Sequence, residues 1–196
     1  MKNKYYVVKV GHHPGVYKSV EKYRKELVGY SGSRGKGFPT LEEAQKYFFE
    51  NKKKVKKEKI TIQAYVDGSY SSNHKTYGYG CFIIENQQIV KKIKNSGRID
   101  EFTKFANMSG KLFGATEAIL YAIAHGHKSI KLHYDCDAIE KLYNSKIQAK
   151  NLLSKIYIFL MDRFGQYIHI EFKKVKAHSG NKYNNMADIL AKQAIN

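Results

Sequence analysis

The sequence predicts an α/β protein with a five-stranded mixed sheet flanked by helices. The prediction rests on the order of its patterns: three β-rich segments with short connections come first, and helix, strand, helices, strand and helix follow. A small strand-and-helix module precedes them, separated by the lysine-rich run NKKKVKKEK. We therefore expect two domains, residues 1–50 and 60–196, with residues 51–59 as a linker.

The first fifty residues predict a compact α+β module. Tyr5–Val10 is a short apolar strand, and the turn GHHPG leads to a second strand. Ser19 and Thr40 are good N-caps, so each is expected to start a helix. Lys22–Leu27 is expected to form the middle of the first helix, and the second is expected to run to about Glu50. Between them lies YSGSRGKGF, which is glycine-rich and basic.

The strand pattern Ile60–Tyr70 is the one around which the second domain is organised. Its β-branched and aromatic residues run to Asp67, and Gly68 and Ser69 are expected to break the strand, so that Asp67 lies at or just inside its carboxyl end. The other elements are expected as strands at 77–85, 87–94, 129–135 and 167–175, and as helices at 107–125, 138–143, 152–164 and 183–194.

Charge is the strongest signal in the composition. Lys and Arg number 35 against 17 Asp and Glu, a net charge of +18 that points to a polyanionic partner. No apolar run approaches the length of a membrane span, and the charged opening segment does not resemble a secretory signal. Cys81 and Cys136 lie far apart without a CxxC or histidine cluster, which indicates neither a disulfide nor zinc. We expect a cytoplasmic protein without membrane contact.

Three aspartates are the candidate reactive groups. Asp67 and Asp135 end strands that can lie side by side, and Asp188 lies on the closing helix, which can reach the same edge of the sheet. Convergent carboxylates repel one another unless divalent cations hold them, and oxygen ligands favour magnesium, with manganese as an alternative. A metal pair held by carboxylates is a standard device for displacement at a phosphodiester.

Four segments in the second domain carry a family resemblance: YVDGSY, NMSG, YDCDAIEKL and VKAHSGNKYNNMADILAK. Their order and spacing are those of type 1 ribonuclease H, which residues 60–196 resemble. Residues 1–50, through YYVVKVGHHPGVYKS and SRGKGFPTLEEA, resemble the N-terminal hybrid-binding domain of many such enzymes. The resemblance implies a ribonuclease H-like fold and magnesium-dependent cleavage of the RNA strand of RNA–DNA hybrids by four carboxylates.

The resemblance also implies roles for individual residues. Asp67, Asp135 and Asp188 match three of the four carboxylates. His178 matches a mobile-loop histidine that is implicated in shuttling the leaving group or releasing product. Asn107 matches a polar residue that contacts the nucleic-acid backbone in the minor groove, and Ser69 is placed with it among the residues expected to bind nucleic acid.

Lys111 is the main departure from the family pattern. Relatives with this N-terminal module usually read N-x-x-G-E at the start of the central helix, whereas this chain reads NMSGK, so a lysine stands in place of the second catalytic acid. Glu117 follows about 240° around the helix and about 9 Å along it, so it cannot replace that acid, and we expect it to face solvent or a neighbouring helix.

Three interpretations of Lys111 remain open from the sequence. In the first, its ammonium group repels the second metal and leaves a protein that binds hybrids without cutting them. In the second, the ammonium stands in for one cation while a single metal activates water. In the third, the side chain swings out to solvent or to a phosphate, and the three aspartates hold metal weakly.

The N-terminal module departs from its family at two aromatic positions. Val20 occupies the usual tryptophan position, and Gly35 occupies the usual aromatic position in the basic loop, so we expect a weaker and more salt-sensitive grip. The residues that remain for nucleic-acid contact are two basic ones and two tyrosines that could compensate: Arg34, Lys36, Tyr17 and Tyr23. A docking or solubility domain is the alternative for this module.

The sequence therefore predicts a metal-dependent ribonuclease H with an altered active site, whose partner is an RNA–DNA hybrid. The alternative is a catalytically inactive protein that binds hybrids or duplex RNA on the same fold. A transposase or integrase on a related fold is disfavoured by the AHSG loop and by the closing helix with Asp188. We expect a monomer.

Overall fold

The computed structural model describes residues 3–50, 59–144, 147, 149–176 and 180–196. The chain forms two compact units, residues 1–53 and 54–196. Of the expected linker, only Lys59 lies within the described residues. None of the helices that the structure describes is long and apolar enough to cross a membrane.

The N-terminal unit is a three-stranded antiparallel sheet with two helices. Its elements are β1 (Tyr5–Val10), β2 (Gly15–Tyr17), α1 (Val20–Leu27), β3 (Arg34–Phe38) and α2 (Leu41–Glu50), and the strand order is β2-β1-β3. Both predicted caps are present: Ser19 Oγ accepts a hydrogen bond from the backbone N–H of Lys22, and Thr40 Oγ1 accepts one from that of Glu43. The segment RGKGF, for which the sequence predicts no strand, forms β3 because β1 pairs along its length.

The C-terminal unit contains the mixed sheet that the sequence predicts. Its strands are β4 (Ile62–Ser71), β5 (Thr76–Glu85), β6 (Gln88–Gly97), β7 (Ser129–Tyr134) and β8 (His169–Lys174), in the order β6-β5-β4-β7-β8. The first three strands pair antiparallel, whereas β7 pairs parallel with both β4 and β8. Its helices are α3 (Asp100–Thr103), α4 (Asn107–Ala124), α5 (Asp137–Tyr143), α6 (Leu152–Phe164) and α7 (Lys182–Lys192).

Strand β4 corrects one expectation, because Gly68 and Ser69 do not break it. The strand continues to Ser71, since β5 pairs with it residue by residue as far as Thr76. Asp67 therefore lies inside the antiparallel hairpin. The parallel pairing of β4 with β7 stops at Tyr65, so Asp67 lies beyond it, on the side where the chain leaves β7 towards Asp135.

Helix α4 packs on the sheet and supplies much of the core. The residues predicted at helical spacing are buried, namely Leu112, Ala115, Ile119 and Ala122. They belong to one apolar cluster with the β4 residues Ile62, Ala64 and Val66. Helix α7 packs through Ala187 and Leu190 against Phe82 of β5 in a separate cluster. This arrangement holds the first turn of α4 over the middle of the β4–β5 hairpin.

Candidate active site

Asp67, Asp135 and Lys111 meet at one place in the C-terminal unit. Asp67 comes from β4, Asp135 directly follows β7, and Lys111 lies near the start of α4. The Nζ atom of Lys111 donates to Oδ1 of Asp67 and to Oδ1 of Asp135, at 2.6 Å in each case. The three side chains are 12%, 7% and 13% exposed for Lys111, Asp67 and Asp135. Lys111 is therefore a nearly buried bridge between the two carboxylates.

Glycines explain how α4 comes so close to the hairpin. A Cβ atom on Gly68 would overlap the backbone nitrogen of Lys111, and one on Gly110 would overlap the carbonyl oxygen of Gly78. Any side chain at these positions would push the helix off the strands. The backbone of Lys111 is thereby held beside Asp67. From this position the lysine side chain reaches both Asp67 and Asp135. The run YGYG around Gly78 carries the signal for this contact, since glycine inside a strand often marks a close backbone approach.

Burial and charge act in opposite directions in this cluster. Burial alone would lower the pKa of Lys111, but Asp67 and Asp135 outweigh it and raise that pKa, so the ammonium group stays charged at neutral pH. Burial raises the pKa of Asp67, and Lys111 opposes this effect. The charged lysine therefore compensates two carboxylates that would otherwise repel each other in a poorly solvated place.

Asp188 lies on α7, where its Oδ2 accepts a hydrogen bond of 2.7 Å from Lys192 Nζ one turn later. Its side chain is 29% exposed, unlike those of the two bridged aspartates. Across the part of the chain that the structure describes, no three His, Cys, Asp or Glu side chains form a group that could hold a metal ion. His178, the predicted loop histidine, lies outside the described residues.

The bridged pair does not fit a divalent cation in the arrangement seen here. Magnesium binds carboxylate oxygens at about 2.0–2.1 Å, so an ion shared by the two Oδ1 atoms would need the space that the ammonium of Lys111 fills. A magnesium ion and the Lys111 ammonium, bound to the same two oxygen atoms, would also repel each other strongly, because solvent screening is weak at this place. A metal ion between Asp67 and Asp135 would first require Lys111 to leave.

The residues predicted to contact nucleic acid fall in both units. Asn107 is exposed at the first position of α4, and Ser69 lies in β4 opposite Gly78. On the N-terminal unit, Arg34 and Lys36 are exposed on β3. The fifth predicted residue, Tyr17, is half-buried, and its hydroxyl donates to the carbonyl oxygen of His13.

Glu117 lies on α4 and is partly exposed. Together with burial, its charge raises the pKa of Tyr79 on β5 to about 12 and also raises the pKa of Cys81. Both of these residues belong to β5, whereas Asp67 belongs to β4. Glu117 is thus no substitute for the missing acid, as its place on the helix predicts.

Two family models together cover nearly the whole chain. Residues 57–196 match the family described as RNase H, and residues 4–48 match the family described as the ribonuclease H1 N-terminal domain. No curated protein matches the chain significantly.

Solved structures share the fold of the C-terminal unit at low sequence identity. The N-terminal RNase H domain of a Mycobacterium tuberculosis protein, fused to maltose-binding protein, aligns with a TM-score of 0.58 at 17% identity, over 69% of this chain and 94% of that chain. RNase H1 from the halophilic archaeon Halobacterium salinarum aligns with a TM-score of 0.57 at 19% identity, over 68% and 96%. A metagenomic RNase H1 from compost, solved in complex with an RNA/DNA hybrid, aligns with a TM-score of 0.56 at 15% identity, over 68% and 96%.

Proposed function

The chain belongs to the RNase H family, and on that premise we propose that it is a ribonuclease H of RNA–DNA hybrids whose cleavage of the RNA strand is held back by Lys111. The proposal rests on the position of the Lys111 ammonium between Asp67 and Asp135, with its Nζ atom 2.6 Å from the Oδ1 atom of each. Hybrid binding is supported by the N-terminal family match and by the net charge of +18.

The inward position of Lys111 supports the first two of the three interpretations of this residue. An ammonium between the aspartates is what inactivation requires, and also what replacement of one cation requires. The third interpretation needs the side chain to point to solvent or to a phosphate, but here it is 12% exposed and paired with both carboxylates. We therefore favour the first two interpretations, in both of which the Lys111 ammonium lies between the aspartates.

The cost of displacing Lys111 sets the expected size of the effect. Separating a buried ion pair costs about 3–5 kcal/mol, and each 1.4 kcal/mol is about a factor of ten in rate or binding. We propose magnesium, with manganese as the alternative, as the cofactor for hydrolysis, in competition with Lys111 for the same carboxylates. Cleavage by the parent protein should thus be about 100-fold to 4000-fold slower than with an acid at this position.

The test compares cleavage of an end-labelled RNA–DNA hybrid by the parent, by Lys111→Glu and by Lys111→Glu combined with Asp135→Asn. We expect Lys111→Glu to cut at least about 100-fold faster than the parent and the double variant to lose that gain. Hybrid affinity, measured without divalent ions, serves as the control for folding. Equal rates for the parent and Lys111→Glu would contradict the proposal, as would no cleavage by either protein despite equal binding.

The second candidate function is hybrid binding without any cleavage. The contact of Lys111 with Asp67 and Asp135 also favours this function, which would result if the lysine blocked cleavage completely. It predicts no product from the parent in magnesium or manganese although hybrid binding is intact. Duplex RNA is then the alternative ligand, and competition of unlabelled duplex RNA against labelled hybrid measures that preference. We further propose a monomer in the cytoplasm, and light scattering of the free protein tests the monomer.

A further inference from the structure

Helix α5 begins with an exposed acid that holds two lysines. The Nζ atom of Lys141, one turn along the same helix, lies 2.7 Å from Oδ2 of Asp137, and the Nζ atom of Lys174, at the end of β8, lies 2.6 Å from Oδ1. Each oxygen atom of this carboxylate therefore has its own ammonium group. The three side chains are between 44% and 55% exposed, so a ligand in solution can reach all of them.

This cluster lies at the same edge of the sheet as the candidate active site. Asp137 follows Asp135 by two residues, and Lys174 is paired in register with Tyr134, the residue before Asp135. The backbone N–H of Val175 donates to the carbonyl oxygen of Tyr134 at 2.8 Å, which fixes the end of β8 beside the segment that carries Asp135. A nucleic-acid strand that reaches Asp135 therefore also passes close to Asp137.

Two lysines on one exposed carboxylate do little for the stability of the fold, because solvent screens ion pairs at the surface. The same arrangement suits a phosphate group, which presents several oxygen atoms and binds lysine ammonium groups through its charge. The carboxylate of Asp137 lies where such a phosphate would contact both lysines. A phosphate that binds there must displace this carboxylate, since two anions in one place repel each other.

We propose that Lys141 and Lys174 form a binding site for a backbone phosphate of the nucleic acid, and that Asp137 occupies this site in the free protein as an internal competitor. The inference rests on the proposed binding of RNA–DNA hybrid. Its consequence is that Asp137 weakens hybrid binding. Removing any acid from a chain of charge +18 favours a polyanion through long-range attraction, so competition for the two lysines has to be separated from that general effect.

The test measures hybrid affinity of the full-length protein without divalent ions, so that cleavage plays no part. We expect Asp137→Asn to bind about 2-fold to 30-fold more tightly than the parent, the range for release of two exposed ion pairs. Glu101→Gln, which removes an exposed acid from α3, is the control for net charge and should change affinity by less than about 2-fold, because salt screens distant charges. Asp137→Glu keeps the carboxylate and should bind as the parent does.

Removing the two lysines separates competition from general charge. In a protein that carries both Lys141→Gln and Lys174→Gln, adding Asp137→Asn should change hybrid affinity no more than Glu101→Gln changes that of the parent. Salt dependence gives a second readout. Between about 50 mM and 200 mM salt, adding each lysine substitution to Asp137→Asn should reduce the slope of log affinity against log salt by about 0.9, the value for loss of one phosphate contact.

Two results would overturn the inference while leaving the proposed function intact. One is folded Asp137→Asn protein that binds hybrid no more tightly than Glu101→Gln, including the case in which its melting temperature falls because Asp137 only ties β8 to α5. The other is an equal gain from Asp137→Asn in the protein that lacks both lysines. A parent that does not bind hybrid at all would instead remove the proposed function, and the inference with it.

Discussion

Lys111 determines the character of the candidate site because it places one positive charge between two buried negative charges. The convergence of Asp67 and Asp135 is predictable from the sequence, since both follow strand patterns that can be neighbours. The direction of Lys111 is not, because its long flexible side chain reaches either solvent or the aspartates from the same backbone position. Burial of the two carboxylates favours the inward direction of the Lys111 side chain, because a buried carboxylate needs a cation beside it.

Removing the Lys111 charge should destabilise the protein and expose a latent metal site. Lys111→Met leaves two nearly buried carboxylates without a cation, and we expect a loss of about 3 kcal/mol in the free energy of unfolding. Magnesium should then raise the melting temperature of Lys111→Met but not that of the parent, because binding to the folded state alone stabilises it. Lys155→Met, on the exposed face of α6, is the control. An equal magnesium effect on parent and variant would contradict the bridge.

His133 predicts a pH dependence of stability. Burial, with help from Lys131 and Lys173, lowers its pKa to about 4. The unfolded chain binds a proton near pH 6.5 and the folded one does not, so stability should fall as the pH drops from about 6.5 to 4, by up to about 3 kcal/mol. His133→Phe, which keeps a ring stacked on Tyr65, should lose this part of the pH dependence, whereas His74→Asn on an exposed turn should retain it. Urea titrations at several pH values measure both.

Among the elements, α4 and the β4–β5 hairpin depend on each other through their glycines. Gly110→Ala should force the helix away from the carbonyl of Gly78 and destabilise the unit by about 1–3 kcal/mol. Gly114→Ala is the matched variant in the same helix, where the nearest side-chain atom, of Tyr79, would lie 3.2 Å away. We expect a clearly smaller loss there, because alanine also favours the helix. Similar losses for both variants, in thermal or urea unfolding, would argue against a special contact at Gly110.

The elements also show where sequence patterns succeed and where they fail. The apolar spacing of α4 predicts its buried face, and the hairpin turn at Asn86 and Gln87 occurs where expected, with positive φ at both residues. The predicted end of β4 was wrong, because pairing with β5 outweighs the tendency of Gly68 to end a strand. Strand β3 was missed because RGKGF has no apolar alternation, and only its pairing with β1 makes it a strand.

For the whole molecule, the sequence predicts the family and the fold because the motifs of both units are present in order. The charge of +18 indicates a polyanion without saying how either unit holds it. The Lys111 bridge depends on contacts between distant segments of the chain. It does not follow from local pattern, since it joins side chains from different elements of the fold.

The most direct measurement is the single-turnover cleavage rate of one RNA–DNA hybrid by the parent and by Lys111→Glu, at protein concentrations that saturate binding. Saturation removes differences in affinity, so the ratio reports the site alone. A ratio of about 100 or more in favour of Lys111→Glu is expected if the ammonium between Asp67 and Asp135 holds cleavage back. A parent that cuts as fast as the variant would mean that Lys111 leaves the aspartates freely or takes part in the reaction.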